Sequence, residues 1–384
     1  MSDQAPFEEV VIAGGGLAGA SAACVLAEAG RPVVILEREA KPHHKVCGEF
    51  LSIEAQAYLA GLGLDLDQLG ASPIASLRLV HGKAMAEVDL PFRARGLSRK
   101  VLDEALLREA VARSARLTRS ISARSISPTR SGLRIDVGGS RECRARTLFL
   151  AIGKHDARGV KRPNTGIRGD LIGFKAHYFL AASQRATLEG VVEVILFAGG
   201  YIGLQMIEDG VANLCLLVSR HCFEQAGKSW DSLLDYIFKV SPHLARRLDG
   251  AVATFPRPLS IFRIPFGFVH AHSPAEPPGL FRLGDQVGVI PSFTGDGMSI
   301  ALHSGCLAAS MYLSGQSTSA FHMRVRDDIR RQVWIASCLY EFGRQSAGQL
   351  ALVKICQAWP MAIRYIASMT RVQETALERA LLRP

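Results

Sequence analysis

The sequence predicts an α/β protein with a discontinuous Rossmann-like domain, an inserted antiparallel β-sheet domain and C-terminal helices. Three observations carry this prediction. A strand, a glycine-rich turn, a helix and a second strand follow one another in residues 10–38. Residues 170–220 alternate in long strand-like runs, and residues 281–285 form another buried strand that ends in an acid. The two ends of one α/β domain would then flank a β-rich middle.

The first βαβ unit carries a dinucleotide-binding pattern. Gly14-Gly15-Gly16-Leu17-Ala18-Gly19 joins an apolar strand to a helix. Gly14 permits the sharp turn, Gly16 lets a pyrophosphate approach the backbone, and Gly19 lets the helix pack closely on the strand. The free N–H groups at the helix start favour phosphate. Glu37 lies 21 residues after Gly16, where a carboxylate accepts hydrogen bonds from a ribose. An ordinary βαβ turn explains neither Gly19 nor Glu37.

The remaining elements follow in order along the chain. Residues 75–91 predict a strand pair that turns at His81-Gly82, and Ser98 is the expected N-cap of a helix over 101–115. Further strands are expected at 133–137 and 147–152, and helices at 230–238, 298–313 and through most of 318–384.

A discontinuous nucleotide-binding domain follows if the glycine turn and the acid near 285 contact one ligand. We expect this domain to comprise residues 1–70, 95–165 and 278–318. Residues 71–94 and 166–277 would form the substrate domain, and residues 319–384 a C-terminal helical region.

Composition narrows the class of protein. The chain has 384 residues, of which 48% are hydrophobic, so it can bury a large core. A net charge of +10 can favour anionic partners, but the basic residues are scattered and predict no nucleic-acid partner. The eight cysteines include no C-x-x-C pair, so no structural metal is expected. The polar N-terminus, without an apolar signal region, and the cysteine usage lead us to expect a cytoplasmic protein.

Residues 350–369 form the most apolar late stretch, and Lys354, Pro360 and Arg364 interrupt it. These interruptions disfavour a membrane-spanning helix. An amphipathic helix on a membrane surface, a cover over a pocket and ordinary core packing all fit the pattern. Membrane contact therefore stays open at this stage, whereas integral insertion is not expected.

Several segments together resemble a known family. Besides Glu37-Arg38, they are Lys45-Val46-Cys47-Gly48-Glu49, Ser98-Arg99, Leu150-Ala151-Ile152-Gly153, Leu283-Gly284-Asp285 and the run from Pro291 to Met298. In this order they resemble the FAD-dependent oxidoreductases built like p-hydroxybenzoate hydroxylase. Within that superfamily they are most similar to the geranylgeranyl-reductase-like branch.

The resemblance implies FAD as the cofactor and a set of residues that hold it. These are Gly14, Gly16, Leu17, Ala18, Gly19, Glu37, Arg38, Cys47, Arg99, Gly153, Asp285, Pro291, Gly295, Asp296, Gly297 and Met298. The Asp285 carboxylate can accept hydrogen bonds from ribityl hydroxyls, and the Arg99 guanidinium suits phosphate or ribityl oxygens. A helix that begins near Gly297 would stabilise reduced flavin by about 0.3–2 kcal/mol.

The same resemblance suggests several reactions on a hydrophobic small-molecule substrate. The first expectation is a monooxygenase that hydroxylates a hydrophobic or aromatic molecule through a flavin C4a-hydroperoxide, with NAD(P)H as electron donor. The alternatives are a flavin-dependent reductase of C=C bonds fed by an electron-donor protein, an FAD-binding protein without net redox turnover and a plain NAD(P)-dependent dehydrogenase.

Four residues are candidates for contact with the reacting atoms. Cys47 and Glu49 are candidate catalytic residues, although a small buried thiol and a helix cap explain them as well. Tyr201 and Gln205 share one strand face and are candidate substrate contacts.

Three departures from the family pattern bear on the reaction. The segment Gly153-Lys154-His155-Asp156-Ala157-Arg158-Gly159 stands where the hydroxylases have Gly-x-Asp-Gly, which weakens the case for direct reduction by NAD(P)H. The tryptophan motif of flavin-dependent halogenases is missing, which disfavours halogenation. Gly199-Gly200-Tyr201-Ile202-Gly203-Leu204-Gln205 takes the place of the Tyr-x-Trp-x-Phe-Pro segment of prenyl reductases, so the substrate need not be prenyl.

Overall fold

The computed structural model describes residues 7–139, 141–162 and 168–381. The polar N-terminal residues 1–6, used above to argue against a signal region, lie outside the described residues. The strands are β1 (Phe7–Ala13), β2 (Val33–Leu36), β3 (Phe50–Leu51), β4 (Ser72–His81), β5 (Ala84–Gly96), β6 (Arg116–Thr118), β7 (Ser125–Thr129), β8 (Gly132–Gly138), β9 (Arg141–Leu150), β10 (Arg168–Phe179), β11 (Gly190–Phe197), β12 (Gly200–Met206), β13 (Ala212–Ser219), β14 (Val252–Ala253), β15 (Leu259–Ile264), β16 (Phe268–Val269), β17 (Leu280–Arg282) and β18 (Gly288–Val289). The helices are α1 (Leu17–Glu28), α2 (Ile53–Gly61), α3 (Arg99–Ala112), α4 (Ala182–Ala186), α5 (Arg220–Gln225), α6 (Trp230–Val240), α7 (Pro242–Arg247), α8 (Gly297–Leu313), α9 (Thr318–Phe342), α10 (Ser346–Ala358), α11 (Pro360–Met369) and α12 (Glu374–Leu381).

The first sheet is the Rossmann-like one. Its strand order is β6-β2-β1-β9-β8-β7, with β17 on the other side of β9. The four strands β6, β2, β1 and β9 run parallel, and β17 joins them in parallel, whereas β7 and β8 are antiparallel additions. Since β17 comes from the far end of the chain, this sheet is assembled from two distant segments, as the sequence predicted.

The second sheet has nine strands in the order β14-β10-β13-β12-β11-β4-β5-β3, with β15 also paired to β10. Most neighbours are antiparallel, which confirms the prediction for residues 170–220. One pair departs from it: β4 and β11 run parallel. This parallel junction joins the early hairpin to the later strands, and sequence periodicity could not specify it because the two strands lie far apart in the chain.

The second sheet has two faces of different character. Even-numbered residues of β10, β12 and β13 pack with α6 and α7 in an apolar cluster that includes Phe174, Ile202 and Leu216. Odd-numbered residues of the same strands, such as Gly173, Tyr201 and Leu217, line a cavity. The period of two in a strand produces this division. The sheet therefore contributes one face to the core and one face to a site.

Three local predictions needed correction. The helix expected over 101–115 begins at Arg99 and ends at Ala112, although Ser98 does cap it by accepting a hydrogen bond from the Val101 N–H at 3.3 Å. The hairpin expected over 75–91 is longer, and β5 runs on to Gly96. The strand expected over 281–285 is only Leu280–Arg282, because a 3₁₀ turn with a left-handed Gly284 follows it. The proposed division into domains stays a prediction.

The chain after α8 is helical, as expected. Helices α10 and α11 meet at an elbow formed by Trp359 and Pro360 and pack against β5. Among the described residues, none of the helices combines the length and the hydropathy that crossing a bilayer requires.

Candidate active site

A single cavity of about 1020 Å³ lies between the carboxyl ends of β1, β2 and β9, one face of the second sheet and the C-terminal helices. This volume is at the upper end of the roughly 300–1,000 Å³ that small-molecule sites occupy. Ligands of open α/β sheets bind at the carboxyl ends of the strands. The cavity therefore has both the place and the size for a dinucleotide with a second molecule beside it.

The glycine turn forms one end of this cavity. Gly14 has a φ of +106° and donates its N–H to the Leu36 carbonyl at 2.8 Å. A Cβ on Gly19 would lie 2.0 Å from the Gly14 carbonyl oxygen, so the close packing expected between helix and strand is present. A Cβ on Gly16 would instead enter the cavity, 3.5 Å from Arg99 Nη2 and 3.5 Å from Lys45 Nζ. Gly16, Leu17 and Ala18 line the cavity, and α1 begins there with a residue that has no side chain to cap it.

Glu37 lies at the same end of the cavity as the glycine turn. The carboxylate is buried at the end of β2 and accepts hydrogen bonds from the N–H groups of Gly15 and Glu39, each at 2.8 Å. It lines the cavity together with Arg38, whose guanidinium is half-exposed and paired with Glu39 at 2.9 Å. Backbone hydrogen bonds thus hold the carboxylate in the orientation that a ribose would meet.

Two cations stand beside the glycine turn. Arg99 donates two hydrogen bonds to Asp103, at 2.7 and 2.9 Å, and Lys45 donates one to the same carboxylate at 2.8 Å. Burial would raise the pKa of Asp103, but Arg99 and Lys45 together hold that pKa below its usual range. The pair therefore keeps a net positive charge next to Gly16, which suits a pyrophosphate.

The loop before α8 forms the opposite end. Gly295 has a φ of +72°, and a Cβ there would lie 2.6 Å from the Phe50 ring. A Cβ on Gly297 would meet none of the described atoms within 4 Å, so the helix starts at an open hollow of the cavity. Gly295, Gly297 and Met298 line that cavity.

Asp296 and Pro291 do not lie with them among the described residues that line the cavity, and their assignment as cofactor contacts stays a prediction. The Asp296 carboxylate points instead at Arg371 Nη1 and Ser52 Oγ, both 3.3 Å from Oδ1. Burial raises the pKa of Asp296 to about 6. The physical reason is that a buried acid needs polar partners, and the C-terminal arginine supplies one. Pro291 accepts hydrogen bonds through its carbonyl from the Thr294 N–H and hydroxyl, so it shapes the turn.

Gly153 and Asp285 meet in the middle of the cavity wall. Gly153 is left-handed, and a Cβ there would lie 3.8 Å from Asp285 Oδ2. Gln286 donates hydrogen bonds to the carbonyls of Gly153 and His155 at 2.6 and 2.7 Å. The buried Arg162 donates to the Asp285 carbonyl at 2.8 Å and to Asp156 at 2.9 Å. These bonds fix the two loops while the Asp285 side chain stays in the cavity wall.

Glu49 lies at the centre of a buried ionic network. Its carboxylate is paired with the Lys175 ammonium, contacts His177 Nε2 at 3.0 Å and accepts the Arg99 N–H at 2.7 Å. Burial acts to raise the pKa of Glu49, but His177 and Lys175 hold that pKa below its usual range. A carboxylate held ionised by a lysine is a poor general acid, which disfavours that one role. Glu49 lines the cavity, and its assignment as a catalytic residue stays a prediction. It does cap a helix, but that helix is α3 rather than the one that follows it, which Ser52 caps.

The second sheet is hydrogen-bonded to the loop that contains Cys47 and Glu49. Gln205 donates a hydrogen bond to the Glu49 carbonyl at 2.8 Å, and Asn213 donates to the Gly48 carbonyl at 2.8 Å. The Gln205 amide nitrogen therefore binds protein backbone, although the residue also lines the cavity, and its role as a substrate contact stays a prediction. The Cys47 Sγ accepts the Glu49 N–H at 3.4 Å and lines the cavity. Its role as a residue near the flavin stays a prediction.

The rest of the sheet face is apolar. Leu79, Val194, Leu196 and Leu217 line this part of the cavity, which we call the apolar chamber, and so do residues of α10 and α11. Tyr201 is one of the polar residues here, and its hydroxyl is hydrogen-bonded to Ser292 Oγ. Burial raises the pKa of Tyr201, so this hydroxyl stays protonated at neutral pH.

Lys175, His177, Asn213 and Arg162 escaped the sequence analysis. A signal for the first three exists: each is a polar residue inside an otherwise apolar strand, on the face that the odd positions share. Such residues need a polar partner when buried. The identity of that partner is a tertiary fact, since Lys175 and Glu49 lie 126 residues apart.

The donor set fits FAD. A carboxylate suits the ribose, two cations and the start of α1 suit the pyrophosphate, Asp285 suits the ribityl chain, and the hollow at Gly297 suits the ring. These groups follow one another along one cavity, so an extended dinucleotide can reach all of them.

Comparisons with known proteins agree with this assignment. A family model described as an FAD binding domain matches residues 8–148. Curated menaquinone reductases are similar: that of Mycolicibacterium smegmatis is 24% identical over 94% of this chain and 89% of its own, and one of Mycobacterium tuberculosis is 25% identical over 79% and 76%. The ubiquinone hydroxylase UbiL of Rhodospirillum rubrum is 28% identical over 62% of this chain and 61% of its own.

Solved structures share the fold. The flavin-dependent brominase Bmp2 superposes with a TM-score of 0.78 at 18% identity, covering 98% of this chain and 96% of that one. A flavoprotein/dehydrogenase from Cytophaga hutchinsonii superposes with a TM-score of 0.72 at 17% identity, covering 98% and 99%. This chain is an FAD-dependent oxidoreductase. This oxidoreductase has the glycine turn and the Gly-Asp turn on one cavity, in keeping with its resemblance to the p-hydroxybenzoate hydroxylase-like superfamily. Its assignment to the geranylgeranyl-reductase-like branch stays a prediction.

Proposed function

We propose that this oxidoreductase reduces a long lipophilic substrate of the isoprenoid quinone class. The carrying observation is the apolar chamber, which is continuous with the cofactor end of the same cavity. A quinone ring with an isoprenoid tail needs one polar contact and a long apolar enclosure. The Tyr201–Ser292 hydroxyl pair offers the polar contact, and the aliphatic sheet face offers the enclosure.

The names of the relatives support this substrate class. Two curated relatives that match 94% and 79% of this chain are menaquinone reductases. Bound FAD, once reduced by NAD(P)H or an electron-donor protein, would supply the two electrons of the reduction. The protein's own residues hold the reactants: Arg99 and Lys45 fix the phosphates, Asp285 fixes the ribityl chain, and the chamber excludes water from the substrate.

A single-turnover experiment tests the reaction. The holoenzyme is reduced with dithionite under strict anaerobiosis and mixed with a menaquinone that has an unsaturated side chain, and the product is analysed by mass spectrometry. We expect a gain of two hydrogen atoms in the isoprenoid side chain, because dithionite reduces a quinone ring without the enzyme but does not saturate an isolated C=C bond. An unchanged quinone together with reoxidised flavin after admission of air would contradict the proposal.

A graded pair of variants links the product to the chamber. Gly203 lies on the cavity-facing side of β12, and a Cβ there would lie 3.9 Å from the nearest atom, the Cys215 carbonyl oxygen. Gly203→Ala should preserve turnover, whereas Gly203→Leu should block substrate entry and leave the flavin absorbance intact. Equal turnover by both variants would place the substrate elsewhere.

Hydroxylation of a quinone is the second candidate. It is favoured by the similarity to ubiquinone hydroxylase UbiL and by the Tyr201–Ser292 pair, which could orient a ring oxygen. Aerobic incubation with NAD(P)H distinguishes it, because the product would gain one oxygen atom and would not form without oxygen.

A further inference from the structure

Helices α10 and α11 present two faces with different surroundings. Their inner faces help to form the cavity wall through Leu352, Cys356 and Ile366. Gln357 of α10 also donates a hydrogen bond to the Met85 carbonyl of β5 at 2.8 Å, which fixes the helix on the sheet. The outer face is directed to solvent, so the wall between the chamber and the surroundings is only one helix layer thick here.

The outer face is unusually apolar for a surface. Ile355, Trp359, Met361 and Tyr365 are exposed by 43%, 64%, 57% and 67%. Ile355 and Trp359 are four residues apart on α10 and its end, and Met361 and Tyr365 are four residues apart on α11. This spacing places each pair on one side of its helix. The four side chains flank the elbow between the helices, and we call them the elbow patch.

The charges within the segment that carries the elbow patch have one sign. Residues 342–373 contain no aspartate or glutamate but include four basic residues, among which Lys354 and Arg364 are exposed. Short helices with exposed Trp and Tyr next to Lys and Arg have the composition of segments that lie in the headgroup region of a bilayer. The chain as a whole is also basic, with a net charge of +10.

We infer that the elbow patch docks on the surface of an anionic phospholipid bilayer and places the wall of the apolar chamber against the lipid. The inference rests on the proposed function, because docking on a membrane would serve an enzyme whose isoprenoid quinone substrate resides there. A docked elbow would let such a substrate pass between α10, α11 and the second sheet without crossing water. The patch lies on the surface of the bilayer and does not span it.

Two features favour lipid over a protein partner. Trp, Tyr, Met and Ile side chains protrude from both sides of an elbow, whereas a second protein would need a matching hollow. The segment 342–373, which carries basic and no acidic residues, also suits a diffuse anionic surface, where each nearby basic side chain strengthens binding by about fivefold. The patch is continuous with the cavity wall, so a substrate in the lipid would have a route from the patch to the substrate site.

Vesicle co-sedimentation of the holoenzyme tests the inference. The vesicles contain phosphatidylglycerol and phosphatidylcholine, or phosphatidylcholine alone, and they contain no quinone. Met361→Glu places a charge in the elbow patch. Met323→Glu is the matched control, because Met323 is 56% exposed on the second turn of a different helix, α9. We expect binding to the anionic vesicles, a loss of about tenfold in Met361→Glu and no loss in Met323→Glu.

Several results would overturn the inference. Failure of the wild-type holoenzyme to sediment with anionic vesicles is the simplest. Equal loss in both variants would show that the patch is not the contact. Concentration-dependent dimerisation without vesicles, abolished by Met361→Glu, would assign the patch to a second copy of the chain. Since no quinone is present, failure of binding with retained quinone reduction in detergent would reject the surface and leave the proposed function standing.

Discussion

Glu49→Gln is the substitution that tests the site network most directly. The Glu49 side chain is fully buried and neutralises the buried Lys175 ammonium. The variant keeps the shape and an acceptor for the Arg99 N–H, but it leaves that ammonium without a counter-charge. Breaking a buried ion pair from one side costs about 3–5 kcal/mol. A cost of this size is a large part of the roughly 5–15 kcal/mol that stabilises a typical domain.

Urea denaturation of the apoprotein measures this cost, with Glu224→Gln as the matched control. Glu224 forms an exposed ion pair with Arg220 at 3.6 Å, so its loss should cost less than about 0.5 kcal/mol. The double variant Glu49→Gln with Lys175→Met should recover part of the stability, because it removes the uncompensated charge. Glu49→Gln behaving like Glu224→Gln, or strict additivity in the double variant, would refute the ionic network as a stabilising unit.

Further outcomes follow from the same geometry. Gly14→Ala should destabilise the fold, because its Cβ would lie 2.4 Å from the Ala151 carbonyl oxygen at a positive φ. Gly16→Ala should fold normally yet bind FAD at least about tenfold more weakly in a fluorescence titration. Normal affinity of this variant would argue against a phosphate at Gly16. The pKa of Asp296 is raised to about 6. The contribution of this carboxyl to the free energy of unfolding is therefore largest below pH 4 and is lost as the pH rises through 6. Asp296→Asn should therefore gain stability relative to wild type by up to about 3 kcal/mol between pH 4 and 7 in denaturant titrations, and a constant difference would contradict this. Burial lowers the pKa of His322 to about 3, so its contribution to stability is intact above pH 6.5 and is lost as the pH falls toward 3. In thermal melts His322→Gln should therefore reduce the fall of melting temperature between pH 6.5 and 3. The control His221→Gln, at an exposed position, should leave that fall unchanged.

The nucleotide half of the site could be predicted because its signals are local. Gly14, Gly16 and Gly19 act within one βαβ unit, and Glu37 follows the next strand, so spacing alone fixes their relation. The Gly-Asp turn at Asp285 was found by its resemblance, and parallel pairing of β17 with β9 brings it to the same cavity.

The protein side of the site could not be predicted in the same way. The charge state of Glu49 depends on Lys175 and His177, which reach it only after the second sheet has formed. Asp296 belongs to a motif that indicates cofactor contact, yet the C-terminal Arg371 draws its carboxylate into the protein interior. In both cases the residue type was correctly singled out, and the partner that decides its role came from a distant segment.

The cavity-facing side of the second sheet has two ends with different roles. Lys175, His177, Gln205 and Asn213 lie near the loop of Cys47 and Glu49, while the aliphatic positions of β11 and of the neighbouring strands line the apolar chamber and pack against α10. Residues at the aliphatic end can therefore change size and shape without disturbing how the coenzyme is seated. A scaffold organised in this manner can acquire new substrates by a few replacements along alternate positions, which gives protein engineers a defined set of sites to randomise.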